Sequence, residues 1–249
     1  KDSNLNILRS AVSFGEFRNV ANAKELVSLL ILQAGNPIIR YDERGLSSVL
    51  NNNLGFNASP TEAAIRFYTE FSNPAKVSYS WNRSLPLSPL YFLSGDLALY
   101  FGFASEINDI KLKNPNLNFD VAMVPQRRGG KTKITFGKMQ GFALVKSSKR
   151  LLSAFETISL LTAKDNISTW TKLSGLPPVR KDLLSLGSTD PAGSIFYTSA
   201  IISKAWLDPD REETKNIFQN MVESTISGRL GISESVNKAN EELQNLLNK

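Results

Sequence analysis

The 249-residue sequence contains neither cysteine nor histidine. Their absence removes disulfides, thiolate nucleophiles, Ser-His and Cys-His pairs and the usual zinc sites together. Carboxylate-only chemistry survives, because paired Asp and Glu side chains can do acid–base work, but no pair stands out by its spacing. Neither a catalytic residue, a metal ligand nor a cofactor is therefore expected. No apolar run approaches the roughly 18 residues of a membrane-spanning helix. Internal repeats, low-complexity tracts and flexible linkers are missing as well.

What is present is ordinary for a folded protein: 41% hydrophobic and 21% charged residues, which sets aside disordered and fibrous classes. The length suits one large domain or two lobes of about 100 residues or more. The net charge of +6 raises the question of nucleic acid. Lys and Arg are spread along the chain, and the one tight group, Arg127, Arg128, Lys131 and Lys133, surrounds Gly129-Gly130. That reads as a hairpin tip with solvated charges, and no aromatic–basic platform accompanies it, so no nucleic-acid partner is expected. The chain starts at Lys1 and runs at once into Leu5-Asn6-Ile7-Leu8, which reads as a cut or processing point.

The organising stretch is Phe92 to Ala104, FLSGDLALYFGFA. It reads as a helix end, a Gly-Asp turn, a short apolar strand from Leu97 to Phe101, and a glycine between two aromatic residues where the strand should stop. A strand ending in Phe101-Gly102-Phe103 puts ring faces and open backbone at the carboxyl edge of a sheet, where open α/β sheets keep their ligands. The other reading is a core strand whose aromatics only pack.

Around it the spacing predicts helices at about 23–34, 60–72, 149–163, 210–227 and 233–247, with a shorter one from Asn166 to Leu173. Asn22 and Glu25 read as an N-cap and a capping-box glutamate, and Gly35 as the stop. Ser59-Pro60-Thr61-Glu62 gives a second start of the same kind. Apolar strands are expected at Phe119 to Val124 and from Thr135 through Val145. Leu151, Leu152, Phe155, Ile158 and Leu161 are expected as a buried helix face. Gly137 and Gly141 mark either a hinge or bulges.

Several segments in order resemble the extracellular solute-binding proteins, family 1, that serve ABC importers: the passage from Phe14 through LLILQAG, YSWN at 79–82, the F..G..AM...G-like stretch at 92–104, FDVAMVPQ through AFE at 119–156, and GLPPVRKD at 175–182. Leu99 and Tyr100 stand where that family has Ala-Met. The resemblance implies an α/β, periplasmic-binding-protein-like type II two-lobe fold lacking the first N-lobe section. Residues 1–135 would be the first part of the C-lobe, 136–180 an N-lobe segment with hinge crossings, and 181–249 the second part of the C-lobe.

The resemblance further implies a ligand cleft that draws on Arg18 and Asn19, Trp81, Phe101, Gly102 and Phe103, Gln140 and Trp206. For Arg18 the alternative is a surface salt bridge, and for Trp81 and Trp206 a place sealing the core. The implied ligand is a small solute, a sugar or oligosaccharide whose C–H faces stack on rings. The implied partner is an ABC transporter permease, with a monomeric, extracytoplasmic protein that meets the membrane only through a lipid anchor upstream. The competing classes are a carboxylate-based glycan-acting enzyme and an α/β domain that binds protein.

Overall fold

The computed structural model describes residues 2, 6–43, 45–56, 59–130 and 132–249; Lys1, Leu5 and Lys131, which figure above, lie outside the described residues. In chain order the elements are β1 (Ser10–Val12), α1 (Ala23–Ala34), β2 (Ile39–Asp42), β3 (Gly45–Ser48), α2 (Pro60–Glu70), α3 (Ser88–Leu93) and β4 (Leu97–Leu99). After a 3₁₀ turn at Ala104–Glu106 come α4 (Ile107–Lys113), β5 (Thr135–Phe136), α5 (Leu151–Leu161), α6 (Lys164–Ser174), α7 (Lys181–Leu184) and α8 (Pro191–Ile201). The chain closes with β6 (Ser203–Lys204), α9 (Arg211–Ile226) and α10 (Ile232–Leu247).

The apolar spacing of α1 puts Ala23, Leu26, Val27, Leu29, Ile31 and Leu32 in the interior. The helix stops at Gly35, whose φ of 106° lies in the left-handed region that glycine adopts without cost. The Gly35 N–H then reaches the Leu32 carbonyl and the Asn36 N–H that of Ile31, so the last carbonyls are satisfied. In α2 the Ser59 hydroxyl accepts from the Glu62 N–H at 3.3 Å and Pro60 opens the helix, as the sequence predicts. The start of α1 departs from expectation. Asn22 has φ 56° and caps nothing with its side chain; asparagine is among the few residues that tolerate this conformation, and its amide is used elsewhere.

The strands form three separate two-stranded ladders among the described residues: β1 parallel to β4, β2 antiparallel to β3, and β5 parallel to β6. Phe119 to Val124 and residues 141–145 form no ladder. A strand needs a neighbour to receive its N–H and C=O groups, and among the described residues none runs beside these two segments.

One hydrophobic core holds α1, α2, α9, α10 and the β1–β4 pair, with Ile31, Ile65, Tyr68, Phe218, Val222 and Leu243 fully enclosed. Lys24 is buried in it. Its ammonium donates to Asp208 Oδ2 at 2.5 Å, Thr214 Oγ1 at 2.6 Å and the Arg211 carbonyl at 3.0 Å. All three donors are used, which is the condition for keeping a charge inside a fold.

The core's buried members stop at Ile134 and resume at Ile217. The segment between is different in kind. Leu151, Leu152, Phe155, Leu160, Trp170 and Leu173 are exposed, and α5 has no buried residue. Of the expected buried face of α5, Leu151, Leu152 and Phe155 are thus open, while Ile158 and Leu161 are half-buried. No helix in the described residues is long and apolar enough to cross a membrane.

This contrast is measurable in urea. Phe218→Ala removes a ring with no exposed surface and is expected to cost about 3–5 kcal/mol. Phe155→Ala, at 58% exposure, should stay within about 0.5 kcal/mol.

Candidate functional site

At the carboxyl end of β4 the chain turns through Tyr100 to Glu106, and one carboxylate holds that turn. Glu106 Oε2 accepts from the Tyr100 hydroxyl at 2.5 Å, while Oε1 accepts from the Phe103 N–H at 2.8 Å and from Asn22 Nδ2 at 2.9 Å. The displaced cap residue of α1 therefore ties the first turn of that helix to the β4 edge. Gly102 sits under this arrangement. A Cβ there would lie 2.8 Å from Tyr100 Cε1 and 3.3 Å from Glu106 Oε2, so the Tyr100–Glu106 bond requires glycine.

The rings on either side of Gly102 serve different neighbours. Phe101 packs 4.9 Å from Phe14, which also meets Tyr68 and Phe71 at 5.4 Å each. Phe103 faces β5 instead, its ring centre 6.5 Å from that of Phe136. Lys138 Nζ lies 4.4 Å from the centre of the Phe103 ring and 2.5 Å from Glu25 Oε1. An ammonium over a ring face is attracted by the ring's quadrupole. Glu25, expected to close a capping box, is thus an ion-pair partner. Gln140 is exposed two residues beyond Lys138.

Two of the expected ligand contacts, Trp81 and Asn19, are buried. Trp81 has no exposed surface; its ring packs edge-on to Tyr91 at 5.6 Å and its Nε1–H donates to Asn19 Oδ1 at 3.1 Å. Asn19 in turn donates to the carbonyls of Asn82 and Leu85. Every polar group of the pair is spent on holding the 79–88 loop, and no ring face is left for a ligand. Arg18 is exposed and forms a bidentate pair with Glu223 of α9, at 2.8 and 3.1 Å. Trp206 is half-buried, stacked on Phe218 at 5.7 Å and 10°, with Nε1–H on Ser28 Oγ and Lys24 Nζ 5.6 Å from its ring.

The residues that meet at one place are therefore Phe103, Phe136, Lys138, Glu25, Glu106, Tyr100 and Asn22. Sequence reasoning found Phe103 and missed the polar groups. Glu25 was hidden by its fit to a capping pattern, and Lys138 is a lone cation within a strand-like run. A groove of about 320 Å³ between α9 and α10, lined by Glu213, Asn216, Asn220, Glu242 and Asn245 among others, contains none of the expected residues.

The fold is periplasmic-binding-protein-like, type II, as its likeness to solved structures shows. A solved cyclo/maltodextrin-binding protein, complexed with maltotetraose, matches over 91% of this chain and 58% of its own at 20% identity, TM-score 0.71. An ABC transporter solute-binding protein from Thermotoga lettingae, bound with α-D-tagatose, matches over 99% and 61% at 18% identity, TM-score 0.63. The chain spans about three-fifths of the length of these solved structures. Residues 21–193 match the bacterial extracellular solute-binding protein family, and the chain belongs to it. The family is extracytoplasmic. No curated protein matches the chain.

The Tyr100–Glu106 contact has a pH signature. Burial first, and then the hydrogen bond to Glu106, push the Tyr100 phenol well above its ordinary value. Because the folded value is the higher one, the stabilisation is complete below the unfolded value near 10 and is lost as pH rises toward the folded one. Denaturation midpoints should fall more steeply above pH 10 in the parent chain than in Tyr100→Phe; parallel profiles would show that burial and Glu106 do not hold the Tyr100 phenol protonated.

Proposed function

We propose that this chain is the larger part of a non-catalytic binding protein that holds a sugar or oligosaccharide at the Phe103 edge and delivers it to the permease of an ABC importer. The observation that carries the reading is the half-buried Phe103 ring, set beyond the carboxyl end of β4, with Phe136 edge-on to it and the Glu25–Lys138 ion pair beside it. A sugar offers C–H faces that stack on such a ring. The ligands named for the two solved structures are of that class.

The state of the carboxylates favours binding over catalysis. Glu25 is committed to Lys138, and Glu106 accepts three hydrogen bonds. Neither is available as the acid or base a glycan-acting enzyme needs. Arg18 and Trp206 belong to this reading as wall residues held by Glu223 and Phe218, and the protein works as a monomer.

The open apolar face of residues 139–201 and the three-fifths coverage support a division into lobes, with 136–180 as the N-lobe segment and 1–135 and 181–249 as the C-lobe. In this reading a further N-lobe section covers that face and supplies the opposite wall of the cleft. Losing two or three hydrogen bonds and a stacking face costs on the order of 3–6 kcal/mol, a factor of about 10² to 10⁴ in affinity.

A thermal-shift titration with millimolar maltotetraose or D-tagatose is expected to raise the melting point of the chain slightly and without turnover, and Phe103→Ala should abolish the rise. Calorimetry on a version extended upstream should show binding tighter by the factor above. Equal and tight binding by both versions would show that the 249 residues hold a complete site.

A further inference from the structure

The route from the core to the outer segment passes through a narrow place. β5 and β6 lie side by side with two pairs in register, Thr135 with Ser203 and Phe136 with Lys204. Just beyond, the Gly137 N–H donates to the Lys204 carbonyl at 3.1 Å, and a Cβ on Gly137 would come within 2.7 Å of Ser203 Cβ. The backbones are in contact, but a ladder this short fixes direction only weakly. The next residue is Lys138, which reaches across to the first turn of α1. Its partner Glu25 is the more enclosed, with a side chain 13% exposed against 41% for Lys138.

The ammonium also covers the face of Phe103. In the functional reading above, that face is where a sugar ring would stack. One ring face does not take an ammonium and a pyranose together.

We propose that the Glu25–Lys138–Phe103 contact is a ligand-displaced latch: it holds the chain just past β5 to the first turn of α1, and a ligand stacking on Phe103 releases it. The inference rests on Phe103 being the stacking ring of the proposed function. Occupation of the ring then frees the crossing, so that ligand and backbone freedom are linked through one ammonium. By reciprocity, weakening the ion pair must tighten ligand binding by the same factor that the ligand weakens the pair. Because the pair is partly solvated, the factor is modest, about two- to fivefold.

Two measurements on the 249-residue chain separate the latch from the reading beneath it. Maltotetraose is titrated calorimetrically into the parent, Lys138→Met and Glu25→Gln, with Lys172→Met as a charge control on an exposed position of α6. The latch requires binding about two- to fivefold tighter in Lys138→Met and Glu25→Gln, unchanged in the control, and a tightening with added salt in the parent that both latch variants lack. Weaker binding in Lys138→Met would make Lys138 a direct ligand contact and overturn the proposal.

The second measurement needs no ligand. The chain has no cysteine, so spin labels on Val77→Cys in the core body and Asp165→Cys in α6 report one distance. The latch requires that distribution to broaden in Lys138→Met and in 1 M salt; an unchanged distribution would overturn it. Should maltotetraose fail to bind while the distribution broadens, the restraint stands and its release by this sugar falls.

Discussion

The buried ammonium of Lys24 is the constraint on which the rest of the molecule depends. A charge enclosed to this degree must have every donor satisfied, and Lys24 finds its acceptors on Asp208, Arg211 and Thr214, more than 180 positions along the chain. The entry of α9 is thereby fixed against the first turn of α1. Trp206 is carried into its stack on Phe218 by the same tie, and β6, which ends at Lys204, is brought alongside β5. The neighbouring residue, Glu25, can then meet Lys138. Two successive side chains of α1 thus do separate jobs, one inward to α9 and one outward to the chain just past β5.

The helices were legible because their spacing and their ends are local properties. Residues 23–34 and 233–247 are found within a residue of the ladder of apolar positions. A start that local rules offered went unread: Asp190 accepts from the Gly193 N–H and Pro191 follows it, the signal that opens α8. The strands were less legible because pairing is not local. Phe119 to Val124 has the composition of a strand, and among the described residues it has no ladder.

At the site, the aromatic residues announced themselves and the polar ones did not. Trp81 shows why an aromatic in a loop is an ambiguous sign: its indole N–H needed one acceptor, Asn19 supplied it, and the ring went inward. Asn22 and Glu25 show the converse. Both match a capping pattern, yet the side chains were taken by Glu106 and Lys138, partners separated from them by about eighty and more than a hundred residues. No single-sequence rule weighs a local cap against a distant partner, because the distant partner's position is an outcome of the fold.

The three tryptophans of the chain fall in three unlike surroundings. Trp81 is sealed in the core, Trp206 is stacked beside the Lys24 ammonium, and Trp170 is open to water on α6. Their emission therefore divides the molecule optically. A quencher confined to water reaches Trp170 first and so samples the outer segment, while the blue-shifted light of Trp81 persists until the core itself opens. Trp206 reports on the junction between them. One intrinsic signal, resolved by wavelength and accessibility, can follow the enclosed core and the open segment without any added dye.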